Sequence, residues 1–358
     1  MAFYDNVQLT IKRFLLAAAQ RNASDLHLSV GRYPTLRIDG ELITMKEERM
    51  LAPSDTEKIC LGLLSEKQKE RLINEKSVDL SYEFQEKARF RINIFYQRGF
   101  LSAAFRLVPM KIRTVGELGL PPILEGLTDL IQGLILLVGP SGHGKSTSLA
   151  ALLDLINHKR AEHIITVEDP IEYLFTQDKC LIDQRELYQD TNSFPEALRA
   201  ALREDPNVVM VGEMRDLDTI ATAVTVAETG HLVFSTVHTN NAPQTIDRII
   251  DVFPSHQQNQ VRFQLANVLS GIVSQRLLPR IGGGLAVACE IMMVNAAVRN
   301  LIREQKTHQI ESVLQTGAEE GMVPLDKSLA RLVKEGVVEI AHALMYSQDP
   351  RNFRSLLK

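Results

Sequence analysis

Cysteine is scarce in this sequence. The 358 residues include three, Cys60, Cys180 and Cys289, widely separated and none in a C-x-x-C pair. Such spacing offers neither a zinc ribbon nor a redox pair, and an odd number argues against a disulfide framework. Three inert thiols in a reducing compartment are the expectation. Long apolar runs are missing too. FLLAAA, at 14–19, falls well short of the roughly 18 uncharged apolar residues that a membrane helix requires. Flanked by Arg13 and Arg21, it reads as one stretch of an amphipathic helix, and the expectation is a soluble, cytoplasmic chain. Nor is there a large excess of one charge. The net charge is −4 and the pI about 6.2, and no stretch interleaves aromatic with basic residues, so a nucleic-acid partner is disfavoured. No internal repeat or low-complexity segment stands out in an ordinary globular composition. The length suits two domains, each with its own core.

What is present falls into two patterns. Residues 1–108 read as a small α+β domain. A helix is expected over 7–20. DLHLSV alternates, and TLRIDGELI makes two short strands around the turn Asp39-Gly40. Ser54 with Glu57, and Ser65 with Gln68, match capping boxes at the starts of two helices. ARFRINIFYQRGFLSAAFRLV then alternates on both sides of Arg98-Gly99, as a second hairpin would. Pro109, Gly116, Gly119, Pro121 and Pro122 mark a linker at 109–122. Beyond it, LILLV, HIITV, VVMV and LVFST are short apolar runs separated by helical stretches, the pattern of buried parallel strands. LAVACEIM adds a late strand. An α/β core is expected over 123–294 and a helical tail over 295–358.

The first apolar run leads into GPSGHGKS, Gly139 to Ser146, which fits the phosphate-loop spacing G-x-x-x-x-G-K-[ST]. Ser141, Gly142, His143, Gly144, Lys145, Ser146 and Thr147 are the expected nucleotide-binding residues. Backbone N–H groups turn toward phosphate, Lys145 reaches the β- and γ-phosphates of ATP, and Ser146 offers its hydroxyl to Mg²⁺. His143 stands where the loop favours small residues; its N–H can still face phosphate with the imidazole pointing outward. Carboxylates follow the later strands: Glu168 and Asp169 after HIITV, and Glu213 after VVMV. In an open α/β sheet these ends face the ligand crevice. One carboxylate can activate water and another can order the Mg²⁺ shell, with Ser146 and Glu213 as the metal-side oxygens. Asp169 and Glu172 serve equally well as helix caps or surface charges. His231 and His238 flank LVFST, and the second lies at the carboxyl end, where it can sense a γ-phosphate.

In the second hairpin, a turn at Arg98-Gly99 pairs Gln97 with Phe100 and puts Arg91 directly opposite Arg106. Two facing cations repel unless a carboxylate or a phosphate compensates. The pair could reach a nucleotide at an interface with a neighbouring subunit, since phosphoryl transfer is often assisted by an added cation.

ASDLHLSVGRYPTLRIDGEL, VEDPIEY, ALREDPNVVMVGEMRD, TGHLVFSTVHT and TIDRIIDVFP, in this order, resemble the secretion ATPases that drive type II secretion and type IV pili. Within them the chain is most similar to the pilus retraction ATPases of the PilT family, over nearly its full length. The resemblance implies a RecA-like P-loop ATPase domain, a smaller N-terminal PAS-like α+β domain and a hexameric ring with nucleotide at subunit interfaces. It implies Glu168 as general base, Glu213 as Walker B carboxylate, His231 and His238 as the His-box pair, and Arg91 and Arg106 as arginines that contact the γ-phosphate. The implied work is pilus retraction, the disassembly behind twitching motility, on an inner-membrane platform protein at the cytoplasmic face. AVRNLIRE, at 297–304, matches a C-terminal helix of the retraction group, although Val298, Leu301 and Ile302 also suit an ordinary amphipathic helix. The four-cysteine insertion usual in assembly and secretion members is absent. His143, Arg276 and Val298 depart from the family's usual residues. The alternatives are an accessory retraction ATPase beside a primary motor, an assembly or type II secretion ATPase, a nucleic-acid translocase, and a non-catalytic nucleotide sensor.

Overall fold

The structure, a computed structural model, describes residues 7–21, 23–38, 40–84, 88–108 and 111–358. Asp39 of the first turn and Pro109 of the linker lie outside the described residues. The chain divides into two compact units. The first runs to Lys111 and includes Pro170–Leu174; the second comprises Ile112–Asp169 and Phe175–Lys358.

The first unit opens with α1 (Val7–Gln20), which buries Ile11, Phe14, Leu15 and Ala18 along one stripe. Strands β1 (Asp25–Leu28), β2 (Thr35–Ile38) and β3 (Glu41–Thr44), helices α2 (Pro53–Gly62) and α3 (Glu66–Glu75), and strands β4 (Ser77–Phe84), β5 (Ala88–Gln97) and β6 (Phe100–Val108) follow. The strands form one antiparallel sheet in the order β3-β2-β1-β6-β5-β4. Phe90, Ile92 and Ile94 alternate onto its buried face with Phe105, against Phe14 and Leu15. Ser65 and Gln68 cap α3 reciprocally as expected. The cap at α2 differs from the Ser54 and Glu57 expectation: Ala52 is the N-cap, and the Asp55 carboxylate accepts from its N–H at 2.8 Å. Pro53 explains this. Its fixed φ and missing N–H favour the first helical position, which starts the helix one residue before Ser54. The β5–β6 turn has Arg98 at φ +53° and Gly99 at φ +85°, the positive pair of a tight type I′ turn. Gln97 pairs with Phe100, and Arg91 with Arg106.

In the second unit the elements run β7 (Gly133–Val138), α4 (Lys145–Lys159), β8 (His163–Glu168), β9 (Leu181–Glu186), α5 (Phe194–Ala201), β10 (Val208–Val211), α6 (Leu217–Glu228), β11 (Leu232–Val237), α7 (Ala242–Asp251), α8 (Ser255–Val268), β12 (Leu269–Pro279) and β13 (Leu285–Met293). The sheet order is β13-β12-β7-β11-β10-β8-β9. All neighbours are parallel except β12 and β13. Leu134 and Leu136 of β7 face a core shared with α6, α7 and α8. Ile135 and Leu137 face the opposite core with Leu149, Leu152 and Ile156 of α4. Burial on both faces is why these strands read as unbroken apolar runs.

The chain ends in α9 (Ala296–Arg303), α10 (Ile310–Thr316), α11 (Leu325–Lys334), α12 (Ile340–Tyr346) and α13 (Pro350–Leu357). These helices are not separate from the sheet. Val298, Ile302, Ile310 and Leu314 extend the α6–α8 core, and Leu325, Leu329, Ala343 and Phe353 cover Ala286, Ala288 and Leu278 of β13 and β12. In α9, Asn295 caps the first turn, Val298 and Ile302 are buried, and Arg303 is exposed. All three cysteines are buried, and burial pushes the thiols of Cys60 and Cys289 up to about 12. Among the described residues no helix is long and apolar enough to cross a membrane.

Candidate nucleotide-binding site

The sheet register assembles the site. Val138, Val237 and Ser274 lie level on β7, β11 and β12, and Val211 lies level with Val167 and Ser235. The phosphate loop, Glu168, Glu213 and His238 therefore leave one edge of the sheet, the carboxyl edge. Gly139 (φ +145°), Gly142 (φ +79°) and Gly144 (φ +78°) allow the loop its curl. Gly139 is also required for space, because a Cβ there would stand 2.6 Å from the Gln275 carbonyl oxygen.

Lys145 is buried at the first turn of α4. Its Nζ donates to Gly139 O at 2.8 Å and Pro140 O at 2.9 Å, and lies 3.4 Å from Nδ1 of His238. Nε2 of that ring is 3.4 Å from Oε2 of Glu213. An ammonium group only donates, so Nδ1 is the acceptor and the neutral imidazole carries its proton on Nε2, toward the carboxylate. His238 thus spans the loop lysine and Glu213. Arg215 Nε sits 2.7 Å from the same Glu213 oxygen. A cavity of about 230 Å³ opens beside Glu213, lined also by Asp169, Tyr188, Arg215 and Asp216. Glu168, one strand over, is buried and accepts from Thr166 Oγ1 at 2.7 Å and Gln184 Nε2 at 3.1 Å.

His231 is not brought to this edge. It precedes β11, whose Leu232 is level with Gly133 at the start of β7. Its Nδ1 lies 3.0 Å from the Val226 carbonyl, which can only accept, so this histidine closes the C-terminal turn of α6. The resemblance implies a His-box pair, and within this chain the six residues of β11 separate the two rings by roughly 20 Å of strand.

His143 also differs from expectation. Its imidazole does not point outward: Nδ1 accepts from the Leu277 N–H at 2.9 Å, and the ring meets Tyr346 edge-on at 5.8 Å. The ring is therefore neutral, with its proton on Nε2. Burial, then the charges of Arg276 and Lys145, hold its pKa below the ordinary value.

Gln275 was not anticipated. Strand β12 continues past the end of β7 and runs beside the loop. The buried Gln275 side chain donates to His143 O at 2.9 Å and accepts from Ser148 Oγ at 2.9 Å. It braces the loop against the first turns of α4. The adjacent Arg276 and Ser274 hold the segment after His238, each donating to Asn240 O at 2.7 Å. Gln275→Leu leaves the Ser148 hydroxyl and the His143 carbonyl without this partner, at a cost of about 1–3 kcal/mol. A lowered denaturation midpoint together with weaker nucleotide affinity is the expected result, read by chemical unfolding and nucleotide titration.

Arg91 and Arg106 belong to the first unit. Arg106 Nε pairs with Asp25 Oδ1 at 2.9 Å while its side chain stays 71% exposed. Arg91 has more distant carboxylates, Asp79 and Glu172, each at 3.9 Å. A carboxylate thus compensates the facing arginines, and neither guanidinium is buried.

A strand–loop–helix phosphate cradle on a largely parallel sheet, with carboxylates and a histidine at the same edge, defines a P-loop nucleotide-binding α/β protein. The chain belongs to the family described as Type II/IV secretion system protein, which matches residues 4–355. It is 44% identical over 348 residues to the type IV pilus retraction ATPase PilT of Pseudomonas aeruginosa, covering 96% of this chain and 100% of that one. It is 34% identical to the type IV pilus ATPase PilU of the same organism, covering 98% and 92%. A crystal structure of the pilus retraction motor PilT with bound ADP matches with a TM-score of 0.89 at 47% identity, over 96% of this chain and 99% of that one.

Proposed function

We infer that this chain is an ATP-hydrolysing motor that powers type IV pilus retraction. The observation that carries the reading is the near full-length similarity to PilT at 44% identity, joined to a site in which His238 spans Lys145 and Glu213. The greater similarity to the retraction ATPase PilT than to the pilus ATPase PilU, 44% against 34%, supports retraction as the work done. In finer terms the second unit is a RecA-like ATPase domain and the first a PAS-like domain. The assembly is a homohexamer at the cytoplasmic face of the inner membrane, acting on a platform protein there.

The residues suit this chemistry. Backbone N–H groups of Ser141 to Thr147 and the Lys145 ammonium bind the phosphates. Ser146 and Glu213 are hard oxygen donors that would hold Mg²⁺, which relies mainly on phosphate and water for its other ligands. When bound, Mg²⁺ withdraws charge from the phosphate oxygens. Glu168 accepts a proton from the attacking water at a carboxylate oxygen. His238 registers the position of Lys145 through Nδ1 and passes it to Glu213 through Nε2–H. Arg91 and Arg106 add positive charge to the γ-phosphate from a neighbouring subunit. Differential affinity for ATP and ADP biases the ring between states.

Retraction in a strain lacking both retraction motors tests the function. Rescue by wild type but not by Lys145→Ala or Glu213→Ala supports it; rescue that also requires a second motor assigns the accessory role. Arg91→Ala is expected to bind ATP normally and hydrolyse it about 10²-fold more slowly. Hydrolysis at the full rate would remove the arginine from the mechanism.

A further inference from the structure

The contacts of His143 join parts of the molecule that the ATPase reading treats separately. The residue sits at the crown of the phosphate loop, between Gly142 and Gly144, both at positive φ. Its carbonyl is held by Gln275 and its Nδ1 by the Leu277 N–H, both from β12. Its ring edge meets Tyr346, the last residue of α12. Helix α12 packs on α11 through Ala343 and Leu329, and that cluster covers β13. A loop whose glycines permit movement is thus fastened at one side chain to a β-strand and a C-terminal helix.

We propose that His143 is a positioning residue that fastens the phosphate loop to β12 and α12, so that nucleotide binding at the loop is transmitted to the C-terminal helices. The proposal rests on the ATPase reading, and its ligand is the nucleotide of that site. The link to β12 requires an acceptor at the position of Nδ1, and the link to α12 requires a ring against Tyr346. Alanine removes both. Asparagine restores the acceptor, because its Oδ1 occupies nearly the place of Nδ1, but brings no ring.

Hydrogen–deuterium exchange of the full chain, with and without ADP and Mg²⁺, tests this. In the wild type the nucleotide is expected to slow exchange at the Leu277 amide and across 340–346 by at least about twofold. His143→Ala keeps the slowing over the loop and α4 but loses it at Leu277 and α12; His143→Asn recovers it at Leu277 and not at α12, whose contact is the ring against Tyr346. In turnover assays, kcat of His143→Ala falls about fivefold while KM for ATP stays within about twofold. Equal protection of α12 in wild type and His143→Ala, or failure of His143→Asn to restore the slowing at Leu277, overturns the proposal. The absence of nucleotide binding by the wild type overturns the ATPase reading and this proposal with it.

Discussion

Lys145→Ala is expected to reduce kcat/KM for ATP by about 10²–10³-fold or more and to abolish retraction. The side chain is buried, and its Nζ is fixed by two loop carbonyls at 2.8 and 2.9 Å. Its charge is therefore held at the loop before any phosphate arrives, and a preorganised donor of this kind contributes about 3–4 kcal/mol to charge developing in a transition state. The same ammonium fixes the tautomer of His238. The substitution thus removes a phosphate contact and also releases Nε2–H from its orientation toward Glu213. Fluorescent-nucleotide titration and phosphate release measure the two losses, with circular dichroism to establish folding. Wild-type turnover by the folded variant would remove this loop from the chemistry.

Glu213→Gln should separate what Lys145→Ala loses together. The amide keeps the shape of the carboxylate but carries no charge. ATP binding by the loop should persist with little change, while turnover falls about 10²–10³-fold. Arg215 Nε at 2.7 Å and His238 Nε2 at 3.4 Å both face the same oxygen, so the variant also leaves two donors without an anion. Pre-steady-state phosphate release after rapid ATP binding is the measurement. Weakened binding with an unchanged chemical step would reverse the roles assigned to Lys145 and Glu213.

The carboxyl edge of the sheet was largely legible in the residues, and the reason is burial. Strands β7, β8, β10 and β11 are covered on both faces, so each shows as an apolar run, and the polar residue that ends the run marks the site. Strand β12 could not be found this way. Ser274, Gln275 and Arg276 are buried, yet they are polar because their partners are loop and segment carbonyls and a hydroxyl. A strand that serves a loop with hydrogen bonds does not look like a core strand. Strand β9 is an outer strand of the sheet with exposed Leu181 and Asp183, and it gave no run at all. The facing arginines were legible because one turn, Arg98-Gly99, sets the register of every pair beyond it. His231 stands before β11 in the sequence itself, and its pairing with His238 came from the resemblance. Strand direction alone puts a residue that precedes β11 at the other edge. His143 was misread because its partners, Leu277 and Tyr346, are 134 and 203 positions away in the sequence.

The sheet's register also divides the molecule into a side that can change and a side that cannot. Each candidate site residue is delivered by the length of its strand, so one residue deleted inside β11 would turn His238 to the opposite face. The turns before β8, β10 and β11 carry no such duty, and a lengthened loop there costs little more than its own closure entropy. Evolution can graft new docking elements onto that border without retuning hydrolysis, and an engineer seeking a place for a reporter should start there.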